Sequence, residues 1–420
     1  MNKYTPTIAV IGNGCAAAEC IKAVRENSYR GTIHVFTDSK WPIYNPMLTT
    51  YYASGKIDFN QLFPYGNNDE FYRNYAVTIH PNSPVLTLDA ERRLIVNQAG
   101  FELVYTQCLI ASGASPFLPK IEGTDTDNIL LMRSVEDAIK LKNALARKPR
   151  KALVLGASMI GIKLVELFHH AGIETCLVDL ADRIFPLIAH PECAGLIQKH
   201  LTQSGIKLRF GMSLSRIEKY HDGMKAYFDG SDESEDADII VVCIGVRSNI
   251  GFINQAQVRI DRGVIIDDRM RTGVPGLFAA GDVAQGKNLQ TGTSQVIGLL
   301  ANARYQGRVA GRNMAGIDTI FPGNIPHNIT HFMGIDFVGI GSIIEYDRMD
   351  TKHLGRRFVQ LFWKNNLIIG ANLIDSHSEA GVIKSTIMKG LLHTAPGNQV
   401  AIPLLHHMLI KNILAEVEKL

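Results

Sequence analysis

Two short runs of small residues carry the first chemistry legible in the chain: Gly12-Asn13-Gly14-Cys15-Ala16-Ala17 and Gly156-Ala157-Ser158-Met159-Ile160-Gly161. Each follows an apolar stretch and opens a helical one, the setting in which a glycine turn presents backbone amides to a phosphate. In the first run Gly12 suits the tight turn, Gly14 lets a pyrophosphate approach the backbone, and Ala17 keeps the helix close to the sheet. Asp38 follows the next strand and is placed to accept hydrogen bonds from a ribose, a little further along than the usual ~20 residues. In the second run Gly156 and Gly161 hold the outer positions and Ile160 lies beside them. Ser158 occupies the middle position, where its small hydroxyl can itself donate to a phosphate. Asp179 closes the following strand, where a carboxylate accepts the 2′-hydroxyl of NAD and repels the 2′-phosphate of NADP. The second turn is therefore expected to bind NAD(H).

The elements that must position these residues repeat. A strand over Thr7 to Ile11, a helix to about Asn27 and a strand over Thr32 to Phe36 surround the first turn. Strands over Ala152 to Leu155 and Glu174 to Val178, with a helix over Ile162 to His170, surround the second. Further strands are expected at Gln107 to Ala111, Asp238 to Ile244 and Gly276 to Ala280, so strands and helices alternate as in parallel α/β sheets. Past Gly323 the pattern changes to short strands around Asp336 to Ile340, Phe358 to Trp363 and Ile368 to Ile374. Lys364-Asn365-Asn366 reads as a hairpin turn, a helix follows over Ala380 to Leu392, and Leu405, Met408, Leu409, Ile413, Val417 and Leu420 have helical spacing. The expected organisation is an α/β fold. A discontinuous first dinucleotide domain (1–117 and 246–322) and a second (118–245) are followed by a small C-terminal α+β interface domain (323–420).

Composition narrows the class. At 420 residues and 46.3 kDa the chain exceeds one ordinary core. Its formal charge of +3 is too small and evenly spread to argue for nucleic acid or a membrane surface. No charged-then-apolar leader and no run near the ~18 apolar residues of a membrane span is visible. The six cysteines mostly sit within apolar elements. The expectation is a cytoplasmic protein. His406-His407 and His327 with His331 lack a companion ligand set, so no metal site is expected. Trp363 near the hairpin turn reads as core or interface rather than a flavin stack, and the acidic run Asp229 to Asp238 as a solvated loop.

A further motif, Thr272-Gly273-Val274-Pro275-Gly276-Leu277-Phe278-Ala279-Ala280-Gly281-Asp282, resembles the second flavin motif of pyridine-nucleotide-dependent FAD reductases. That resemblance implies FAD on the first turn, with Asp282 on the ribityl chain beside Gly281. Ala111-Ser112-Gly113-Ala114 with Pro116 looks like the family's A-T-G-x-x-P loop and adds Ser112 and Gly113 to the FAD set. Cys243-Ile244-Gly245-Val246-Arg247-Ser248-Asn249 resembles its A-x-G-x-x-P-N loop, with Ser248 in the proline's place, and adds Gly245 to the NAD set. Ala303-Arg304-Tyr305-Gln306-Gly307 is similar to the helix after the flavin aspartate.

The branch follows from what is missing and what comes last. Disulfide reductases of this family carry a redox-active cysteine pair soon after the first ribose acid, where Trp41 to Tyr52 contains no cysteine. Cys15 and Cys20 fall in the phosphate turn and its helix, on different faces. Thr330 to Asp336, Gly370 to Asp375 and Glu379-Ala380-Gly381 resemble rubredoxin reductases and the flavoprotein module of assimilatory nitrite reductases. At comparable length the chain is also similar to the NADH-linked flavin subunit of phenylglyoxylate dehydrogenase complexes. These resemblances imply electron transfer between NAD(H) and an iron–sulfur, ferredoxin- or rubredoxin-type partner, with further subunits of a dehydrogenase complex as companions. Oxygenase-type ferredoxin reductases place a lysine and a glutamate near the flavin, and the resemblance puts Tyr51 and Lys163 in those positions. Lys163 thus reads either as a solvated helix lysine or as a group that tunes hydride transfer. A stand-alone NADH oxidase or quinone reductase, and an NAD-sensing structural flavoprotein, remain open alternatives.

Overall fold

The computed structural model describes residues 6–119, 121–124, 129–221 and 223–393. The chain divides into two compact units, one holding the residues up to Ser115, Arg133–Glu136 and Val246–Asn324, the other Pro116–Met132, Asp137–Gly245 and the residues from Ile325.

The first unit is built on a five-stranded parallel sheet in the order Leu277–Ala279, Gln107–Ile110, Thr7–Ile11, Thr32–Phe36, Thr78–His80. Its central strands are near-continuous apolar runs because both faces are covered, as parallel sheets require; Val10, Val35, Leu109 and Ile110 are fully buried. The first-turn helix, Cys15–Glu26, packs against the helix Leu300–Met314. Small residues set that approach. A Cβ on Gly307 would lie 2.2 Å from the Ala16 carbonyl, and one on Gly311 2.4 Å from the Cys20 carbonyl. The unit also holds a three-stranded antiparallel sheet, Val85–Asp89, Leu94–Asn97 and Glu102–Val104, and short pairings near residue 285.

The second unit repeats the plan with a parallel sheet ordered Lys207–Phe210, Glu174–Asp179, Lys151–Leu155, Ile239–Val242, Ile129–Leu131. The turn-bearing strand is central in both sheets. The unit also holds a three-stranded antiparallel sheet, Leu214–Tyr220, Gly223–Phe228 and Ser234–Ala237, and a five-stranded antiparallel one in the order His327–Phe332, Ile335–Gly341, Leu367–Ile374, Arg357–Lys364, Arg348–Leu354, with the helix Ala380–His393 following. The hairpin at Asn365-Asn366 forms as expected. Both residues have left-handed φ, 51° and 62°, which two-residue hairpin turns require and asparagine tolerates. The α/β class with two Rossmann-like sheets and a smaller α+β portion is thus the fold adopted.

The acidic run differs from its reading as a solvated loop. Ser234–Ala237 is a strand paired antiparallel with Gly223–Phe228, and its carboxylates are met by Arg209, which binds Glu233 and Glu235, and by Lys207, which reaches Glu235 at 2.6 Å. The helical spacing from Leu405 to Leu420 and the pair His406-His407 lie outside the described residues. None of the described helices is long and apolar enough to cross a membrane.

Candidate functional site

At the first turn, Gly12 has φ 109° and a Cβ there would lie 2.1 Å from the Ala111 carbonyl oxygen, so only glycine fits. Its amide donates to the Phe36 carbonyl at 2.8 Å, tying the turn to the end of the next strand. Gly14 is different. It is the N-cap of Cys15–Glu26 in an extended conformation (φ −92°, ψ −170°), with nothing within 4 Å of a Cβ. Its lack of a side chain therefore leaves open space over an uncapped helix N-terminus, the geometry a pyrophosphate needs. Ala17 is fully buried against the sheet. Asp38 is exposed just past Thr32–Phe36.

The parallel sheet brings the other expected flavin residues to the same strand ends. Gly281 has φ 85°, its amide donates to Gln306 Oε1 at 2.9 Å, and a Cβ there would sit 3.3 Å from Ala16 Cβ. Asp282 accepts from Arg133 Nη2 at 2.6 Å, and its carbonyl accepts from the Ser248 hydroxyl at 2.9 Å. Ser112 does not present its hydroxyl freely. It donates to the Asn249 carbonyl at 2.8 Å, while Asn249 Nδ2 donates back to the Ser112 carbonyl at 2.9 Å. Gly113 has φ 66° in open space. Arg133 belongs to no motif legible in the sequence, whereas Asn249 closes the loop Cys243 to Asn249 and Asn13 lies in the first turn, where its Nδ2 donates to the Tyr72 hydroxyl at 2.7 Å. Tyr51 lies in the short helix Thr49–Ala53, where its carbonyl accepts from Lys56 N at 2.9 Å and from the Ser54 hydroxyl.

The second turn has the same backbone. Gly156 also has φ 109°, and a Cβ there would lie 2.4 Å from the Cys243 carbonyl. Gly161 is confined to glycine by the Gly156 carbonyl, 2.0 Å from where its Cβ would be. Ser158 caps the helix Met159–His170, its Oγ accepting from Gly161 N at 3.1 Å, and Ile160 is half-buried in the first turn of that helix. Asp179 holds the turn itself: one carboxylate oxygen accepts from Ala157 N at 2.6 Å, the other from Ala181 N at 2.8 Å. Gly245 has φ 119° with open space around it.

Lys163 is not a solvated lysine. Its side chain is 15% exposed, and its ammonium binds the Glu166 carboxylate and the His331 carbonyl, the latter at 2.7 Å. Glu166 also accepts from Met333 N at 3.2 Å, so this polar group joins the second-turn helix to the strand His327–Phe332. His327 Nε2 meets Lys384 Nζ at 2.9 Å, and His331 Nδ1 meets Asp336 at 2.7 Å.

The cysteines are separated. Cys15 Sγ lies 4.0 Å from the Leu300 carbonyl and Cys20 Sγ 3.6 Å from Met314 Sδ, and all six thiols are unpaired. Burial, reinforced by the charge of Asp282, pushes the Cys15 thiol up to about 11, well away from the thiolate a redox pair requires.

With this geometry in view, the family model described as pyridine nucleotide-disulphide oxidoreductase matches residues 6–307. The chain belongs to this family. It is an oxidoreductase that works with FAD and NAD(H), and it lacks the disulfide from which the family takes part of its name. The NADH-dependent phenylglyoxylate dehydrogenase subunit epsilon of Aromatoleum evansii is 30% identical over 388 residues, 90% of this chain and 91% of that one. A rubredoxin-NAD(+) reductase of Ectopseudomonas oleovorans is 26% identical over 345 residues, 81% of this chain and 88% of its own length. Among solved structures, the water-forming NADH oxidase from Lactobacillus brevis bound to NADH superimposes with a TM-score of 0.88 at 21% identity, over 99% of each chain. At that identity it shows the shared fold.

Proposed function

We propose that this chain passes electrons between NAD(H) and a one-electron iron–sulfur, ferredoxin- or rubredoxin-type protein, as the flavin subunit of a larger dehydrogenase complex. The observation that carries the reading is the pairing of two phosphate turns of the same backbone with thiols that cannot act as a pair. With no protein disulfide to reduce, electrons arriving at the flavin leave through an external acceptor.

The FAD set is Gly12, Gly14, Ala17, Asp38, Ser112, Gly113, Gly281 and Asp282, on residues 1–117 and 246–322. The NAD set is Gly156, Ser158, Ile160, Gly161, Asp179 and Gly245, on residues 118–245, with 323–420 as the interface domain. The FAD held by the first set would supply two-electron exchange with NAD(H) and one-electron exchange with the protein partner. The chain's own residues hold and orient. The uncapped helix behind Gly14 faces a pyrophosphate, and Asp282, steadied by Arg133, accepts from ligand hydroxyls. Asp179 accepts from the ribose of NAD and disfavours NADP. Six unpaired cysteines, most of them buried, suit the reducing cytoplasm. The names of the relatives support both the electron partner and the complex.

The test is purification of the tagged chain from its native source with analysis of iron, acid-labile sulfide and accompanying subunits. Stoichiometric iron–sulfur protein is the expected result. A homogeneous flavoprotein that consumes NADH rapidly in air would make oxygen the acceptor and the chain a stand-alone oxidase.

A further inference from the structure

The stretch between Asp38 and Tyr75 belongs to neither glycine turn, yet it holds the first one. Its regular structure consists of short helices, Pro46–Leu48, Thr49–Ala53, Phe59–Leu62 and Glu70–Asn74. Helices of this length are not stable by themselves in water, so packing must hold the segment. Its aromatic rings supply part of that packing. Trp41 meets Phe59 edge-on with centroids 5.1 Å apart, and Tyr52 meets the same ring at 5.3 Å.

Asn13 joins this segment to the first turn. Its amide brackets the Tyr72 hydroxyl, which accepts from Nδ2 at 2.7 Å and donates to Oδ1 at 3.0 Å. The same Nδ2 lies 3.4 Å from the Trp41 carbonyl. Tyr72 is 3% exposed, and burial pushes its hydroxyl above the ordinary range, so it stays neutral and able both to donate and to accept.

The placement of Asn13 gives the contact its meaning. It stands between Gly12 and Gly14, and two glycines leave a backbone more freedom than any other residues. A turn that must present its amides in one arrangement therefore needs to be held from outside. The Gly12 amide is tied to the Phe36 carbonyl at 2.8 Å, and the Asn13 side chain is a second tether. The second turn holds its matching residue by another route. Ala157 has no polar side chain, and its amide donates to Asp179 at 2.6 Å.

We propose that Asn13 is a positioning residue for FAD: its bond to Tyr72 fixes the backbone between Gly12 and Gly14 in the form that accepts a pyrophosphate. Asn13 acts through the backbone on either side of it, its own side chain being committed to Tyr72. Retention of the cofactor is thereby tied to the aromatic segment around Trp41. This rests on the reading that the first turn holds FAD.

Release of FAD from the loaded protein on dilution, followed by the rise in flavin fluorescence, tests this. Tyr72→Phe removes one hydroxyl, and Asn13→Ala removes the amide that brackets it. Each is expected to weaken FAD binding about tenfold, the effect of losing one buried hydrogen bond. The double variant should be no weaker than either single one, because both changes remove the same bond. A purely structural role would lower the thermal midpoint in excess FAD and leave the dissociation constant unchanged. That result would overturn the proposal, as would effects that add in the double variant. Gly12→Ala separates the proposal from the reading beneath it. If Gly12→Ala loses FAD while Asn13→Ala and Tyr72→Phe keep it as tightly as the parent protein, the turn holds FAD and Asn13 does not position it. If Gly12→Ala also keeps FAD, the reading of the first turn falls, and the proposal with it.

Discussion

Glu19 is a charge buried in the first unit. Its side chain is 2% exposed on the first-turn helix, and Arg304 (3.1 Å) and Arg308 (2.8 Å) reach it from the helix packed alongside. Burial works against the carboxylate, but the hydrogen bonds from Arg308 and Arg304 outweigh it and hold the group below its ordinary range. A carboxyl with a depressed folded value stabilises fully above its unfolded pKa of about 4.3, and that stabilisation disappears as pH falls through the folded value. Glu19→Gln should therefore cost about 3 kcal/mol at neutral pH, the low end for breaking a buried pair because both guanidiniums stay half-exposed. The same variant should flatten the acid limb of a stability–pH curve measured by urea unfolding. An unchanged acid limb would mean that other carboxylates govern it. Little of this was visible in the sequence, where Glu19 is one acid in an alanine-rich helix and its partners lie 285 and 289 residues away.

At the scale of elements, the turns were the most legible parts of the chain, for a steric reason. Gly12 and Gly156 are glycine because a carbonyl sits where a Cβ would be, and such constraints leave a fixed local pattern. Gly12→Ala, forced against the Ala111 carbonyl with φ 109°, should yield protein that does not retain flavin. Gly161→Ala should leave the flavin spectrum intact and abolish measurable NAD⁺ binding, since its obstacle lies wholly within the second turn. Loss of flavin from Gly161→Ala would show that the sites are not independent. Lys163 is an element-level residue too, because its bonds join a helix to a strand. Lys163→Met removes the ammonium bound to the buried Glu166 carboxylate and should cost about 3 kcal/mol in thermal or urea unfolding. With the ammonium committed to Glu166 and His331, the single-turnover rate of flavin reduction by NADH should stay unchanged. A tenfold or greater loss would instead put the lysine in the hydride path. Elements stabilised by distant partners were harder to read. Ser234–Ala237 reads as a solvated run until Arg209 and Lys207 are placed beside it, and the polar edge strand Arg348–Leu354 has no apolar alternation to mark it.

For the whole molecule, the repeated strand–turn–helix plan was readable because both copies keep it in order along the chain, and the motif ending at Asp282 tied the first copy to a flavin. Arg133 was not readable: it meets Asp282 across 149 residues and belongs to no turn. The absence of cysteine from Trp41 to Tyr52 narrowed the chemistry more than either turn, since a flavin without a disulfide must find its acceptor elsewhere. The central claim is that electrons run between NAD(H) and a one-electron protein through this flavin. Anaerobic stopped-flow mixing of the FAD-loaded chain with NADH, followed by oxidised iron–sulfur protein, tests it most directly. The flavin's visible absorbance should bleach on the first mixing and return on the second, far faster than in air alone. Failure of NADH to bleach it, or reoxidation by air as fast as by the iron–sulfur protein, would contradict the account.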